Sequence, residues 1–231
     1  MTLSYRDIAK TQLDFLLFRQ VRISTSTDFR RWFIYVLVVT WLVGIGRYWD
    51  HPSAEVWQYF GLGSVVYIFG LSSLLYVVVL PLRPANWQFR GVLIFVGLTS
   101  LPALLYAVPV ERFMDLETAK AVNAWFLGLV AAWRVALLLR FLNKSAQLSW
   151  ALVTIVAVML LSGIVVTLSI LNLEHVVFDI MAGIRDENAS PNDLAYIIVL
   201  NLSFYSILAF PVALIAYLAA IAKEVRSDNV D

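Results

Sequence analysis

Six long apolar stretches, separated by short polar segments, dominate the pattern of this chain of 231 residues. They run over residues 32–46, 57–81, 92–110, 121–142, 150–172 and 196–221. Most of them exceed the roughly 20 residues that an α-helix needs to cross about 30 Å of hydrocarbon. The pattern therefore predicts an all-α fold: a bundle of six transmembrane helices.

Composition supports a membrane protein, because 61% of the residues are hydrophobic. Soluble domains contain roughly 45–50% apolar residues and cannot cover a larger apolar surface. The six helices and their short connections use nearly all of the chain, so no room remains for a separate soluble domain. We expect one membrane domain over 28–222, preceded by a cytoplasmic segment 1–27 and followed by a cytoplasmic tail 223–231.

The basic residues sort to one side when the segments between the stretches are numbered alternately. Twelve fall on the side of the N-terminus and four on the other, with Arg134 inside a stretch. The larger set comprises Arg6, Lys10, Arg19, Arg22, Arg30, Arg31, Arg83, Arg90, Arg140, Lys144, Lys223 and Arg226, and the smaller one Arg47, Arg112, Lys120 and Arg185. The positive-inside rule predicts from this that both termini are cytoplasmic. As a separate expectation, the protein is assigned to a bacterial inner membrane.

Residues 1–24 have the pattern of an amphipathic helix. Ser4 and Asp7 have the spacing of a capping box at its start. The apolar residues Ala9, Leu13, Leu16, Leu17 and Val21 recur at helical spacing beside Arg6, Lys10, Arg19 and Arg22. An apolar face with a basic rim favours a helix in the plane of the membrane, on anionic headgroups. Packing against the spans as a cytoplasmic lid is equally compatible, and both can hold at once.

Two features of the stretches concern the regularity and the packing of the predicted helices. Pro102 and Pro109 interrupt the third stretch, which membranes tolerate where neighbouring helices satisfy the freed carbonyls. Small residues in the second and fourth stretches predict close helix packing. They include Gly61, Gly63, Ser64 and Gly70, and then Gly128, Ala131 and Ala132.

The long acidic loop before the sixth stretch predicts a second interfacial helix, on the outer side. Val176, Val177, Ile180, Met181 and Ile184 share one helical face there. His175 and Asp179 lie one turn apart on another face. Such a pair could orient an imidazole for base chemistry, but no G-x-S-x-G nucleophile motif accompanies it. A solvated helix face beside the headgroups is the simpler interpretation.

Arg134 is the most unusual residue, because it lies near the middle of the fourth stretch, in AAWRVALLLRF. A cation at mid-membrane costs about 2.5–3.5 kcal/mol on insertion scales, so such residues often mark function. Its long side chain could instead snorkel to the interface or bind carbonyls, aromatic faces or headgroups. A functional arginine on an anion path or at a subunit contact is the alternative.

A second polar cluster, Arg47, Asp50 and His51, lies at the outer end of the first stretch, in GIGRYWDHP. Three titratable groups could form a proton relay or a weak metal site. Their spacing fits no zinc motif, however, and the neighbouring Tyr48 and Trp49 suit an interface anchor. The chain contains no cysteine, Walker lysine or H-E-x-x-H motif. We therefore predict no metal, no cofactor and no nucleic-acid partner.

Residues 91–160 resemble the bacterial branch of the Yip family of small multi-span membrane proteins. The resemblance rests on GLTSLPALLYAVPV at 97–110, AWFLGLVAAWRVALLL at 124–139 and the polar link NKSAQLSW. The acidic-aromatic N-terminal signature of that family is missing, and the sixth span with its acidic loop is extra. The resemblance implies a helical bundle without an established enzyme activity that acts through protein or lipid contacts.

Three functions are compatible with these features. The first is a non-enzymatic membrane protein, an organising protein or a subunit of a membrane assembly, that binds lipid, a membrane protein or a second copy of itself. The second is a transporter or channel for a small solute, with Arg134 on the path. The third is an intramembrane enzyme that modifies lipid, for which Arg47, Asp50, His51 and His175 would converge. The absence of Asp and Glu from the stretches disfavours the last two.

The predicted topology can be tested with cysteine reporters, because the chain has no cysteine of its own. Reporters at Ser145 and Ser227 should be shielded from impermeant thiol reagents in intact cells, since both lie in basic segments. Reporters at Ser53 and Ser190 should react. Reaction at Ser145 before permeabilisation would contradict the six-span topology.

Overall fold

The computed structural model describes residues 4–19, 21, 28–49, 55–173 and 194–228. These residues contain helices and no strand. The α-helices are α1 (Tyr5–Leu16), α2 (Phe29–Tyr48), α3 (Val56–Tyr59), α4 (Leu62–Val79), α5 (Phe89–Leu98), α6 (Leu116–Lys144), α7 (Trp150–Ile170) and α8 (Leu194–Asp228). Short 3-10 helices cover Leu80–Leu82, Leu101–Ala107 and Val110–Arg112.

Within the described residues, six helical segments are long and apolar enough to cross a membrane, which confirms the all-α, six-helix prediction. They cover Phe29–Tyr48, Leu62–Leu82, Phe89–Ala107, Ala121–Lys144, Trp150–Ile170 and Ile198–Glu224. The second segment begins at Leu62, five residues later than the apolar pattern predicted. The third combines α5 with the 3-10 helix that follows it. Orientation in a membrane stays a prediction.

The chain divides into two compact units. Unit 1 comprises Met1–Leu80 with Asn86–Pro109, and unit 2 comprises Pro81–Ala85 with Val110–Asp231. Unit 1 therefore holds the first three long segments and α1, and unit 2 holds the last three. Each unit is described by itself.

In unit 1, α2 runs parallel to the third segment in a constant register. The Arg90 guanidinium carbon lies 5.1 Å from the centroid of the Phe29 ring. A Cβ placed on Gly97 would come within 2.6 Å of Val36, and one on Gly46 within 3.2 Å of Ala107. All three pairs are separated by 61 positions in sequence. At these three points, each α2 residue lies level with the residue 61 positions later.

A tight turn at Gly61 explains why the second segment starts late. Gly61 has a φ of +66°, in the left-handed region that glycine adopts without steric cost. A Cβ there would come within 2.7 Å of the Trp41 carbonyl oxygen and of the Ile45 amide nitrogen. The chain thus turns against α2 before α4 begins, and the close packing predicted at Gly61 is confirmed. Gly70 and Gly128 have no such neighbour among the described residues.

The third segment breaks after Leu98 because Pro102 follows. In an unbroken helix the Leu98 carbonyl would accept a hydrogen bond from residue 102, but proline has no N–H. The missing donor comes from α1, where Gln12 Nε2 donates to the Leu98 oxygen at 2.9 Å. The Tyr35 hydroxyl in turn donates to Gln12 Oε1 at 2.6 Å. The Gln12 amide therefore links α1 to both α2 and α5.

The structure confirms the predicted start of α1 and shows which of its faces packs on the protein. Ser4 Oγ accepts from the Arg6 N–H, and Asp7 Oδ2 accepts from the Ser4 N–H. The face on the protein consists of Ile8, Gln12, Phe15 and Leu16. Leu13 and Leu17, which belong to the predicted apolar face, are 54% and 58% exposed. The face on the protein differs from the apolar pattern because Gln12 is buried in spite of its polarity, with both ends of its amide hydrogen-bonded.

In unit 2, α7 and α8 form an antiparallel pair. The Ser169 hydroxyl donates to the Ser203 hydroxyl at 3.0 Å. Near the middle of the pair, a Cβ on Gly163 would come within 3.0 Å of the Phe210 ring. The turn from α6 into α7 is closed by Asn143, whose Nδ2 donates to the Leu148 carbonyl oxygen at 3.0 Å.

Removing the Gln12 amide should destabilise unit 1, because the Leu98 carbonyl would lose its donor in an apolar environment. We expect Gln12→Leu to lower the free energy of unfolding by about 1–2 kcal/mol. Tyr35→Phe should cost less, since Leu98 keeps its donor. Thermal unfolding of the detergent-solubilised protein measures both effects.

Lys10→Gln is the matched control for these variants, because Lys10 is exposed on the same helix. If Gln12→Leu unfolds at the same temperature as Lys10→Gln, the Gln12 amide is not what holds α1 on the third segment.

Candidate functional site

The structure describes two of the six predicted site residues. Arg47 lies in the last turn of α2, in unit 1, and Arg134 lies in α6, in unit 2. Asp50, His51, His175 and Asp179 lie outside the described residues. The convergence of Arg47, Asp50, His51 and His175 at one pocket therefore stays untested.

Small residues place Arg47 beside the end of the third segment. Gly46 allows close contact, because a Cβ at that position would come within 3.2 Å of the Ala107 side chain. The close contact between α2 and the third segment therefore lies directly beside Arg47. Tyr106, next to Ala107, is brought alongside in the same way.

The Arg47 guanidinium lies close to two tyrosine rings. Its central carbon is 5.5 Å from the centroid of the Tyr48 ring and 5.6 Å from that of Tyr106. Both distances fall within the roughly 6 Å over which a cation is attracted to an aromatic face. The half-buried guanidinium is therefore held by aromatic faces from two elements of unit 1.

Hydrogen bonds from neighbouring aromatic residues fix the same end of unit 1. Trp49 Nε1 donates to the Ala107 carbonyl oxygen at 3.0 Å, which ties the end of α2 to the third segment. The Tyr59 hydroxyl donates to the Trp49 carbonyl oxygen at 2.7 Å. We call Arg47, Tyr48, Trp49, Tyr59 and Tyr106 the Arg47 cluster.

The chemistry of the Arg47 cluster is that of an anchor. Tyrosine and tryptophan, with an apolar body and a polar tip, are enriched where a membrane meets water. A guanidinium can also bind a carboxylate or phosphate through two parallel hydrogen bonds. The described members include no acid or imidazole that could act as a general base. The anchoring interpretation of GIGRYWDHP stays a prediction, and the proton relay would need Asp50 and His51, which lie outside the described residues.

Arg134 lies in the middle of α6, with its side chain half-buried. It is ten residues from Lys144 at the end of the helix, about 15 Å along the axis. Leu137, less than one turn away, is fully buried. The side chain thus lies at the edge of the packed part of unit 2, and both interpretations of Arg134 remain open as hypotheses.

Among the described residues, no group of three histidines or carboxylates could hold a metal ion. The sequence analysis missed two polar residues that are buried in unit 1. Gln12 is 1% exposed and Thr40 is 2% exposed. For Gln12 a signal existed, because Ile8, Gln12, Phe15 and Leu16 have helical spacing and Pro102 leaves a carbonyl that needs a donor.

A double-mutant cycle should show that Arg47 and Tyr106 interact. Arg47→Lys loses the planar guanidinium and Tyr106→Leu loses the ring, so we expect a coupling of about 0.5–1 kcal/mol in thermal unfolding. Tyr106→Phe is the matched control, because it keeps the aromatic face and removes only the hydroxyl. A cycle between Arg47→Lys and Tyr106→Leu that shows no coupling would exclude the cation–π contact.

In comparisons with known proteins, no family model, no curated protein and no solved structure matches this chain. The resemblance to the Yip family therefore stays a prediction. The function is therefore inferred from the contacts, burial and charges of the described residues.

Proposed function

We propose that this is a non-enzymatic integral membrane protein that acts through lipid contacts, with both termini cytoplasmic and α1 at the inner leaflet of a bacterial inner membrane. It would serve membrane organisation or a larger membrane assembly. The observation that carries the proposal is the division of α1 into a protein face and a separate apolar, basic flank. A transporter with Arg134 on its path is the alternative, and a lipid-modifying enzyme the third.

The protein face of α1 docks on unit 1. Phe15 packs edge-on against Phe95, with the ring centroids 6.0 Å apart. Gln12 adds the two hydrogen bonds to Leu98 and Tyr35. Since this face is occupied, membrane contact would use a different part of the helix.

A second flank of α1 combines exposed leucines with basic side chains. At 100° per residue, Arg6, Lys10, Leu13 and Leu17 fall within a sector of about 60°. All four are exposed. Leucines that enter the acyl region beside lysine or arginine that reach the headgroups are the features of an interfacial helix.

The depth of α1 agrees with this role. Tyr35 and Leu98 are six and nine residues beyond the first residues of α2 and α5. At 1.5 Å per residue, Gln12 therefore lies about 9–13 Å from those helix starts. Interfacial helices bury their apolar face about 5–10 Å into the boundary between headgroups and acyl chains.

Basic residues cluster at the same end of unit 1. Arg30 and Arg31 lie in the first turn of α2, and Arg90 lies in the first turn of α5. Each Lys or Arg near a surface of anionic lipid contributes about 1 kcal/mol of attraction. This end therefore suits the cytoplasmic leaflet, and α1 extends its basic surface.

Neutralising the basic flank should reduce bound anionic lipid. We expect Arg6→Gln with Lys10→Gln to lower the retention of phosphatidylglycerol, measured by mass spectrometry of the protein purified in mild detergent. Binding of the wild-type protein to anionic vesicles should weaken at high salt, because the attraction is screened. Lipid retention should fall because the double variant lacks two positive charges on α1, while the face of α1 that packs on the protein is unchanged.

Arg112→Gln is the matched control, because Arg112 is an exposed arginine that the predicted topology places on the outer side. Equal lipid retention by the double variant, the control and the wild type would refute the lipid role of α1. An unfolding temperature equal to that of the wild type would show that the double variant is folded.

A further inference from the structure

One guanidinium at the basic end of unit 1 is held against an aromatic ring. The central carbon of the Arg90 guanidinium lies 5.1 Å from the centroid of the Phe29 ring. Arg90 lies in the first turn of α5 and Phe29 in the first turn of α2, so the contact joins the starts of two helices. A cation–π contact uses the face of the ring and consumes none of the five N–H donors of a guanidinium. Arg90 is therefore positioned while its donors remain able to bind an anion.

The Phe29 ring is in turn held by two further rings. It stacks on Phe33 with the ring centroids 5.7 Å apart, and Phe33 meets the ring of Phe69 on α4 edge to face at 6.2 Å. Aromatic rings attract each other at these distances. We call Phe29, Phe33 and Phe69 the aromatic ladder. Because α2, α4 and α5 all contribute to this arrangement, Arg90 should lose less conformational freedom than an unsupported arginine when it binds a ligand.

The charges near Arg90 favour an anion. The first turns of α2 and α5, with the residue before each, carry the three arginines Arg30, Arg31 and Arg90 against one carboxylate, that of Asp28. Arg30 and Arg90 are exposed, and neither forms an ion pair with another described residue. The side chains of Asp28 and Gln88 make no capping hydrogen bond, so the positive ends of two helix dipoles add to the same field.

The aromatic ladder adds an apolar surface beside this charge. Phe33 follows Phe29 by four residues, so it lies about 6 Å further along α2. Both residues belong to the segment of α2 that is long and apolar enough to cross a membrane. Phe29 and Phe33 are half-buried, and Phe69 is 37% exposed. A ligand with a phosphate and an apolar chain would contact both Arg90 and the rings, whereas inorganic phosphate would contact the guanidinium alone.

We propose that Arg90 and the aromatic ladder form a binding site for one phospholipid with an anionic headgroup. The Arg90 guanidinium would donate two parallel hydrogen bonds to the phosphate, and an acyl chain would lie against Phe33 and Phe69. The site requires this end of unit 1 to face an anionic leaflet, and so it rests on the proposed function. It uses different residues from the flank of α1, and one positioned side chain determines its affinity, whereas diffuse attraction depends on total charge.

Titration of the intact protein in mild detergent with phosphatidylglycerol, followed by native mass spectrometry, tests the site. We expect one lipid to bind more tightly than any other. Arg90→Gln should weaken that lipid by more than the roughly fivefold that corresponds to about 1 kcal/mol for one surface charge. Arg30→Gln is the matched control, because it removes an equal charge from the same end and leaves the aromatic ladder intact. Equal weakening by the two variants would indicate diffuse attraction and overturn the proposal.

Two further variants keep the total charge and change only the positioned guanidinium. Phe29→Leu removes the ring beneath Arg90, and Arg90→Lys removes the planar fork, so both should weaken the tightly bound lipid. Phe204→Leu, at an exposed phenylalanine of α8, is the control for Phe29→Leu. Arg90→Lys decides the test if Phe29→Leu does not fold. Wild-type affinity in Arg90→Lys, or in a folded Phe29→Leu, would refute the site.

Two comparisons identify the ligand and separate the site from the lipid role of α1. Inorganic phosphate at the concentration of the lipid should not displace it, and displacement would overturn the proposal in favour of a simple anion site. If Arg6→Gln with Lys10→Gln lowers lipid retention and Arg90→Gln does not, the role of α1 stands and the Arg90 site fails. Loss with Arg90→Gln alone would support the site and contradict the role of α1. Wild-type retention in both would refute both proposals.

Discussion

The hydrogen bond from Gln12 to the Leu98 carbonyl oxygen is the interaction on which the arrangement of unit 1 depends. A proline within a membrane-spanning segment leaves one carbonyl without its helical donor, and hydrocarbon offers no water to replace it. Here Pro102 creates that demand and the N-terminal helix meets it. The amide also accepts from Tyr35, so one buried side chain connects three elements. The N-terminal helix is therefore part of the packed interior of unit 1, with only its other faces open to the surroundings.

The glycines of unit 1 also hold its elements together, because they allow α2 to come close to the third segment. Gly97 lets Val36 approach the end of α5, and Gly46 lets α2 approach Ala107. These contacts hold α2 in one register along both halves of the broken segment. In lipid there is no hydrophobic driving force for helices to associate, so close van der Waals contact and hydrogen bonds must determine which helices pack together. The break is thus enclosed by close contacts before and after it along the segment.

The sequence was sufficient for the large features of the fold and insufficient for the polar interior. Span length and apolar content follow from the thickness of a bilayer, so the six segments could be predicted within a few residues. The late start of α4 could not, because it depends on the contact of Gly61 with Trp41 and Ile45 across two helices. The face of α1 that packs on the protein could not be predicted, because hydrophobicity ranks Gln12 as exposed and only its partners Leu98 and Tyr35 reverse that ranking. The sequence singled out Arg47 as a candidate site residue, whereas its contact with Tyr106 joins positions 59 residues apart that no local pattern connects. Thr40 gave no signal at all, since a threonine in an apolar helix normally bonds to its own backbone.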